Sequence, residues 1–185
     1  MRLWVTGYRS YELGIFNDND PKIEVIKYTL RQFIEQQFNN GLEWIISSGQ
    51  LGIEQWAIEE ALELKKDYPE LKTSLMYPYS EFGKQWNQNN QQKLTELENK
   101  VDFVASTSKQ AYQSPQQLKN YQQFMLTHTD AALMIYDSEY PGKSKYDYEA
   151  IQKFKENNEY PLTIFNMQDL QDRSIELNEK KYWQS

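Results

Sequence analysis

Cysteine is absent from the 185 residues, and histidine occurs once, as His128. Without cysteine the chain can form no disulfide, no thiolate metal site and no cysteine nucleophile. A single histidine gives no support to a zinc site or a Ser-His-Asp triad, so we predict no bound metal. His128 stands at the end of a helical pattern, where a contact with the helix dipole or a carbonyl group is its expected role.

The chain also lacks a long apolar segment and an excess of positive charge. No run approaches the roughly 18 residues that span a bilayer, and the chain enters a strand-like run directly, without a signal peptide. Lysine and arginine number 20 against 27 acidic residues, which gives a net charge of −7. Nucleic-acid binding requires clustered basic residues, so this balance disfavours DNA or RNA without excluding a local basic groove. We predict a cytoplasmic protein that does not enter the membrane.

Apolar runs of strand length alternate with amphipathic stretches along the whole chain. Six runs predict strands, namely Leu3–Thr6, Trp44–Ser47, Thr73–Tyr77, Phe103–Ala105, Ala132–Tyr136 and Leu162–Phe165. Several are continuously apolar, which is typical of strands that are covered on both faces. Between them, apolar residues at spacings of three and four predict helices. This alternation predicts one α/β domain over residues 1–185. We expect a Rossmann-like three-layer sandwich with a mainly parallel sheet of about six strands.

The turn after the first predicted strand contains a glycine and one of the four arginines of the chain. In open parallel sheets, ligands bind beyond the carboxyl ends of the strands. Gly7 allows a ligand to approach the backbone closely, and Arg9 can contact a phosphate through two nitrogen atoms. The alternative is an ordinary turn with a solvated arginine.

The second turn, Ser48–Gly52, has two glycines three residues apart between a strand and a helix. Free backbone amides at a helix start bind anions, although Gly49 and Gly52 can equally serve only to turn the chain. The spacing matches neither the dinucleotide fingerprint nor a P-loop. Glu54 either caps the helix dipole or binds a ribose hydroxyl, and Trp56 is either a core residue or a stacking wall.

Five segments resemble, in order, the motifs of the YpsA-like family of bacterial proteins. They are Thr6–Phe16, Ser48–Ala57, Trp86 with Asn89, Tyr112 with Ser114, Pro115 and Asn120, and Tyr136–Tyr146. The resemblance covers nearly the whole chain and implies a Gram-positive bacterial member of the SLOG superfamily of Rossmann-like domains. That superfamily also contains the DNA-processing protein DprA and the LOG nucleotide phosphoribohydrolases.

The resemblance implies a nucleotide-derived ligand, such as an ADP-ribose-like or NAD-like molecule, near the first two turns. Together with the turns, it gives the ligand-binding candidates Thr6, Gly7, Arg9, Ser10, Ser48, Gly49, Gln50, Gly52, Glu54, Trp56, Pro78, Trp86, Asn89, Asn120, Asp137, Gly142 and Lys145. We therefore predict a nucleotide-binding sensor or regulator that acts through other proteins. The apolar area of the outer helices allows a homo-oligomer but does not locate an interface.

Two alternative functions follow from the same resemblance. LOG enzymes carry Pro-Gly-Gly-x-Gly-Thr-x-x-Glu, and Pro141, Gly142 and Glu149 stand at matching positions here. Lys143, Lys145 and Tyr146 replace the other glycines and the threonine, so Glu149 is a weak catalytic candidate or else a helix-surface carboxylate. DprA-like binding of single-stranded DNA is the other alternative, and the acidic charge balance opposes it.

Overall fold

A computed structural model describes residues 1–185 and contains six strands, six α-helices and one short 3-10 helix, Ser10–Leu13. The strands are β1 (Arg2–Gly7), β2 (Trp44–Ser47), β3 (Lys72–Tyr77), β4 (Phe103–Ser106), β5 (Ala131–Ile135) and β6 (Leu162–Phe165). The helices are α1 (Pro21–Asn39), α2 (Ile53–Leu64), α3 (Gln88–Glu98), α4 (Pro115–His128), α5 (Lys145–Lys155) and α6 (Met167–Gln184). All six predicted strands are confirmed, with their ends within one residue of the prediction.

The six strands form one parallel sheet in the order β4-β3-β2-β1-β5-β6. From β1 to β4 the chain moves steadily towards one edge of the sheet, and it then returns to place β5 on the other side of β1. The strand order therefore reverses between β1 and β5. In open α/β sheets, this reversal opens a ligand site at the carboxyl ends of the strands concerned. The prediction of a Rossmann-like α/β fold is confirmed.

Helices cover both faces of this sheet. Right-handed crossovers that progress in opposite directions lie on opposite faces, so α1 and α2 cover one face while α4 and α5 cover the other. Helix α1 packs against both α2 and α6, and α4 packs against α5. The central strands lie between these layers, and Trp4, Val5 and Leu133 are completely buried. Burial of each such side chain stabilises the fold by about 1.5–3 kcal/mol, which explains the continuous apolar runs in the sequence.

The helix ends follow the capping chemistry of the sequence. Asp20 accepts a hydrogen bond from the amide of Lys22 at 2.9 Å and is followed by Pro21 at the first position of α1. His128 ends α4, where its Nδ1 atom lies 2.8 Å from the carbonyl oxygen of Phe124, as its place in the sequence indicated. None of the helices combines the length and the apolar character that crossing a membrane would require.

Candidate functional site

The turns after β1 and β2 are joined to each other through their backbones. The amide of Ile53 donates to the carbonyl of Tyr8 at 3.1 Å, and Arg9 and Gly52 form an isolated antiparallel bridge. A Cβ atom on Gly52 would lie 2.6 Å from the Tyr8 oxygen and 2.5 Å from the Ser10 nitrogen. Glycine is therefore required here by the contact between the two turns, which brings Arg9 to the start of α2.

The second turn is filled from within by the carboxylate of Glu54. Its Oε2 atom accepts a hydrogen bond from the amide of Gln50 at 2.9 Å and another from the hydroxyl of Ser48. The amide of Gly49 donates to the hydroxyl of Ser47 at 3.3 Å. These amides therefore serve the protein's own groups, and the carboxyl group of Glu54 occupies the place at the start of α2 where an anion would bind.

A second carboxylate, Asp147 in the first turn of α5, lies at the same place. The hydroxyl of Thr6, at the end of β1, donates to its Oδ2 atom at 2.7 Å. The side-chain amide of Gln122, on α4, donates through Nε2 to its Oδ1 atom at 2.7 Å. Thr6 also lies close to the carboxyl group of Glu54, so a single threonine stands beside both acids. We call the cluster of Thr6, Arg9, Glu54 and Asp147 the switch-point site.

The two acids of the switch-point site influence each other's protonation. Burial raises the pKa of Glu54 to about 7, the Ser48 hydroxyl opposes this rise, and the negative charge of Asp147 adds to it. Burial also raises the pKa of Asp147, against its hydrogen-bond donors and the positive charge of Arg9. Two neighbouring carboxylates resist ionising together, so the pair titrates as a unit. The pair therefore carries fewer than two full negative charges at neutral pH.

Two buried hydroxyl groups near this pair have no hydrogen-bond partner. Tyr121, on α4, is 6% exposed, and Ser144, which precedes α5, is 4% exposed. Burial, and then the charges of Glu54 and Asp147, raise the pKa of Tyr121 well above its usual range. A buried hydroxyl without a partner costs about 1–3 kcal/mol. Both hydroxyls thus offer hydrogen-bonding capacity that the fold itself leaves unused.

Arg9 differs from the other arginines because no carboxylate lies within salt-bridge distance of it. The three that do form salt bridges are Arg2, Arg31 and Arg173. Arg9 is half-buried, and its charge opposes the rise that burial causes in the pKa of Asp147 and of Tyr79. A half-buried guanidinium group that forms no salt bridge is suited to bind an anionic ligand.

The turn after β5 is locked to the turn after β1, across the point where the strand order reverses. The hydroxyl of Tyr8 accepts a hydrogen bond from the amide of Asp137 at 2.8 Å. Glu12 accepts from the amide of Arg9 at 2.9 Å and, through its other oxygen, from the amide of Lys143 at 2.8 Å. These bonds fix the turn after β1 and the turn after β5 to each other, on two sides of the switch-point site.

The structure brings most residues predicted for the first, second and fifth turns to this region. They are Thr6, Gly7, Arg9, Ser10, Ser48, Gln50, Gly52, Glu54, Asp137 and Gly142. Gly49 belongs to the same turn, but a Cβ atom there would face the core, 2.9 Å from the side chain of Leu75. Trp56 is buried in the hydrophobic core.

The remaining predicted residues lie on other elements. Pro78 is buried after β3, and Trp86 packs edge-on against Phe82 at 5.3 Å. Three others lie along helices: Asn89 is exposed on α3, Asn120 is exposed on α4, and Lys145 begins α5 with its ammonium 5.1 Å from the ring of Tyr146. Glu149 is exposed on α5.

Sequence reasoning missed Asp147, Tyr121 and Gln122. The available signal for Asp147 was an acidic residue in the first turn of the helix that follows β5. Tyr121 and Gln122 gave no signal of their own, because α4 shows the ordinary apolar spacing of a helix that covers a sheet.

Two surface grooves are lined by residues outside the switch-point site, although Gln122, which donates to Asp147, lines the first. One, of about 320 Å³, runs between α4 and α5 and is lined by Lys119, Lys153 and Phe154 among others. The second, of about 540 Å³, lies between α1, α2 and α6 and is lined mainly by charged residues. Neither includes Arg9 or Asp147.

Comparison with known proteins gives relatives along nearly the whole chain. A family model named YpsA and described as the YspA SLOG family matches residues 3–170. A UPF0398 protein of Limosilactobacillus reuteri (strain DSM 20016) is 57% identical over 182 residues, covering 97% of this chain and 96% of the relative. A UPF0398 protein of Leuconostoc citreum (strain KM20) is 55% identical over 180 residues, covering 97% of this chain and 95% of the relative.

A solved structure that concerns the single-stranded DNA binding mode of DNA processing protein A from Helicobacter pylori is also similar. Its TM-score is 0.56 at 17% sequence identity, and the match covers 89% of this chain and 64% of that chain. The chain therefore spans less than two thirds of that protein, and a likeness at this identity shows a shared fold. The family match, which spans all the motif segments, confirms the resemblance seen in the sequence. This chain belongs to the YpsA family of SLOG proteins.

Proposed function

We propose that the switch-point site binds a nucleotide or a nucleotide derivative of the ADP-ribose or NAD type. The observation that carries this proposal is Arg9, a half-buried arginine without a carboxylate partner beside the reversal in strand order. An arginine in this setting can hold a phosphate group through two hydrogen bonds. The accompanying acids and hydroxyls suit the sugar that a nucleotide joins to its phosphate.

The carboxylates fit a ribose because they accept hydrogen bonds from its hydroxyl groups. Asp147 is half-buried, and each of its oxygen atoms accepts one hydrogen bond from the protein, which leaves a second lone pair on each for a ligand hydroxyl. The unpartnered hydroxyls of Tyr121 and Ser144 add donors at the same place. A phosphate beside Arg9 also meets less repulsion than two full negative charges would produce, because burial holds the pKa of Glu54 at about 7.

The same geometry favours binding over cleavage of the ligand. Both oxygens of Asp147 accept hydrogen bonds from the protein, and one oxygen of Glu54 accepts two. These bonds fix both acids in orientations that suit contact with the hydroxyl groups of a ligand. Glu149, the counterpart of the LOG glutamate, is exposed on α5. We therefore propose a sensor or regulator that acts through protein partners.

Single-stranded DNA is the second candidate ligand. It is favoured by the likeness to a protein whose structure was described for its single-stranded DNA binding mode. A DNA phosphate could use Arg9 in the same way as a nucleotide phosphate. The net charge of −7 opposes it, because the negative charge of the whole surface repels a long DNA strand. A mononucleotide is affected mainly by the charges at the site itself.

Titration calorimetry with ADP-ribose, NAD, AMP and a short single-stranded DNA tests the proposal. We expect saturable binding of at least one nucleotide to the wild type. Arg9→Ala should weaken it about 10- to 100-fold, since hydrogen bonds to a charged group contribute about 1.5–3 kcal/mol.

The matched control for this titration is Arg2→Ala. Arg2 forms its salt bridge with Asp130 at the amino ends of β1 and β5, whereas the switch-point site lies at their carboxyl ends. This variant should therefore bind like the wild type. Equal affinity of Arg9→Ala and the wild type, or silence with every nucleotide, would reject the proposal. DNA binding that falls steeply with salt would favour the second candidate instead.

A further inference from the structure

A row of packed aromatic rings leads from the core to the surface after β3. Tyr77 stacks on Phe82 with ring centroids 5.2 Å apart, and Phe82 contacts Tyr79 edge-on at 5.6 Å. Tyr79 in turn contacts Tyr112, from the loop after β4, at 5.3 Å. We call these four residues the aromatic ladder. Its inner end is buried and its outer end, Tyr112, is 50% exposed.

The loop that carries Tyr112 is held in place by one side chain. Gln117 of α4 accepts a hydrogen bond from the amide of Gln113 at 2.7 Å. Its amide nitrogen donates to the hydroxyl of Ser108 at 3.0 Å and to the carbonyl of Ala111 at 3.1 Å. Gln117 is only 9% exposed, so these bonds are shielded from water. The exposed ring of Tyr112 is thus presented by an ordered loop, which lowers the entropy cost of contacting a ligand.

The loops after β3 and β4 are also joined to each other. The hydroxyl of Thr107 donates to the carbonyls of Tyr77 and Pro78, at 3.3 and 3.2 Å. The backbone amide of Ser80 donates to the carbonyl of Gln110 at 3.0 Å. Tyr79 and Tyr112 come from different loops but are therefore held at a fixed separation.

The aromatic ladder begins beside the second turn, which also contacts Arg9. A Cβ atom on Gly49 would lie 3.7 Å from the ring of Tyr77, and Gly52 of the same turn bridges to Arg9. Burial raises the pKa of Tyr79, and the positive charge of Arg9 opposes that rise. The same charge opposes the rise in the pKa of Asp147, so Arg9 is within electrostatic reach of both the acid pair and the aromatic ladder. A pyrophosphate held by Arg9, as in ADP-ribose, carries a ribose at each end, so one ribose would contact the acid pair and the base on the other ribose would reach the aromatic ladder.

We propose that Tyr112, supported by Tyr79, is the stacking surface for the base of the nucleotide whose phosphate contacts Arg9. This inference rests on the proposed function and adds to it the residue that recognises the base. Other aromatic residues fit this role less well. Trp56 is buried in the core. Trp86 packs against Phe82, which is separated from Tyr112 by the ring of Tyr79.

Stacking on a tyrosine recognises the flat face that every base has. It predicts that a ligand with a base binds more tightly than the sugar phosphate alone, with modest preference among bases. It also predicts that an aromatic ring is needed at position 112, whereas the phenol hydroxyl is dispensable. Since stacking contributes about 1–3 kcal/mol per base, loss of the ring should weaken binding about 5- to 150-fold.

Calorimetry of the full chain with AMP and with ribose 5-phosphate tests this inference. Tyr112→Ala should bind AMP at least about fivefold more weakly than the wild type. It should bind ribose 5-phosphate as the wild type does, which also shows that the variant is folded. Tyr112→Phe should restore AMP affinity. Tyr182→Ala, which removes a 75% exposed tyrosine from α6, is the matched control and should change neither affinity.

The outcomes separate this inference from the proposed function. If the wild type binds AMP and Tyr112→Ala binds it equally well, the stacking role is wrong while nucleotide binding stands. An equal loss of affinity for AMP and ribose 5-phosphate in Tyr112→Ala would likewise overturn it, because the loss would then not concern the base. If the wild type binds neither ligand and no other nucleotide, both proposals fail.

Discussion

Replacement of Gly52 by alanine is expected to lower the free energy of unfolding by roughly 2–5 kcal/mol. Two costs add together at this position. The residue has a φ of +108°, which side chains rarely adopt, and the new Cβ atom would lie 2.8 Å or less from three backbone atoms of the first turn. Backbone atoms cannot move aside as a flexible side chain can, so the backbone contact between the two turns must break. Urea unfolding followed by circular dichroism measures the change.

Gly41→Ala is the matched control for this substitution. Gly41 has a φ of +90°, but a Cβ atom there would have no atom within 4 Å. It should cost only the conformational penalty of about 1–2 kcal/mol. Equal losses in the two variants would mean that the contact between the turns contributes nothing beyond backbone conformation.

The stability of the protein should fall with rising pH in a way that depends on Glu54. Burial raises the pKa of Glu54 from 4.5 to about 7 in the folded state. Between these values the unfolded chain releases a proton that the folded chain retains. The contribution of Glu54 is therefore fully present below about pH 4.5 and is lost as the pH rises through about 7. The corresponding loss is roughly 3 kcal/mol.

Urea unfolding of the wild type and of Glu54→Gln between pH 5 and pH 8 measures this contribution together with its coupling to Asp147. Glutamine keeps an oxygen for the amide of Gln50 but cannot ionise, so Glu54→Gln should gain stability relative to the wild type as the pH rises. Glu149→Gln alters an exposed carboxyl group on α5 and should follow the wild type. Parallel curves for the wild type and Glu54→Gln would show that Glu54 ionises at its ordinary pKa.

The strands could be predicted from the sequence because their burial leaves a direct record in it. β5 is covered on both faces, so each of its residues is buried and the run Ala131–Ile135 is apolar without interruption. The first two turns could be located for a related reason, since ligand sites of parallel sheets lie at the carboxyl ends of strands. The sheet order was beyond the sequence, because pairing joins segments such as β1 and β5 that are far apart in the chain.

The roles of individual site residues were harder to predict. Gly52 looked like part of an anion cradle, and it instead makes room for the backbone of the neighbouring turn. Close approach of a backbone and close approach of an anion both require glycine, so spacing cannot separate them. Glu149 matched a known pattern, but Asp147 lies at the site. Two residues on a helix differ by about 200° around its axis, so these acids point in nearly opposite directions.

Amide chemical-shift mapping of the wild-type protein with ADP-ribose tests the central proposal most directly. Binding at the switch-point site predicts saturable chemical-shift changes in the turns after β1 and β5 and at the start of α5. The changes should be largest at Gly7, Arg9, Gly142 and Asp147. Smaller changes should reach the loop that carries Tyr112. Changes confined to the groove between α4 and α5 that Lys119 and Lys153 line, or a spectrum that does not change at high ligand concentration, would contradict it.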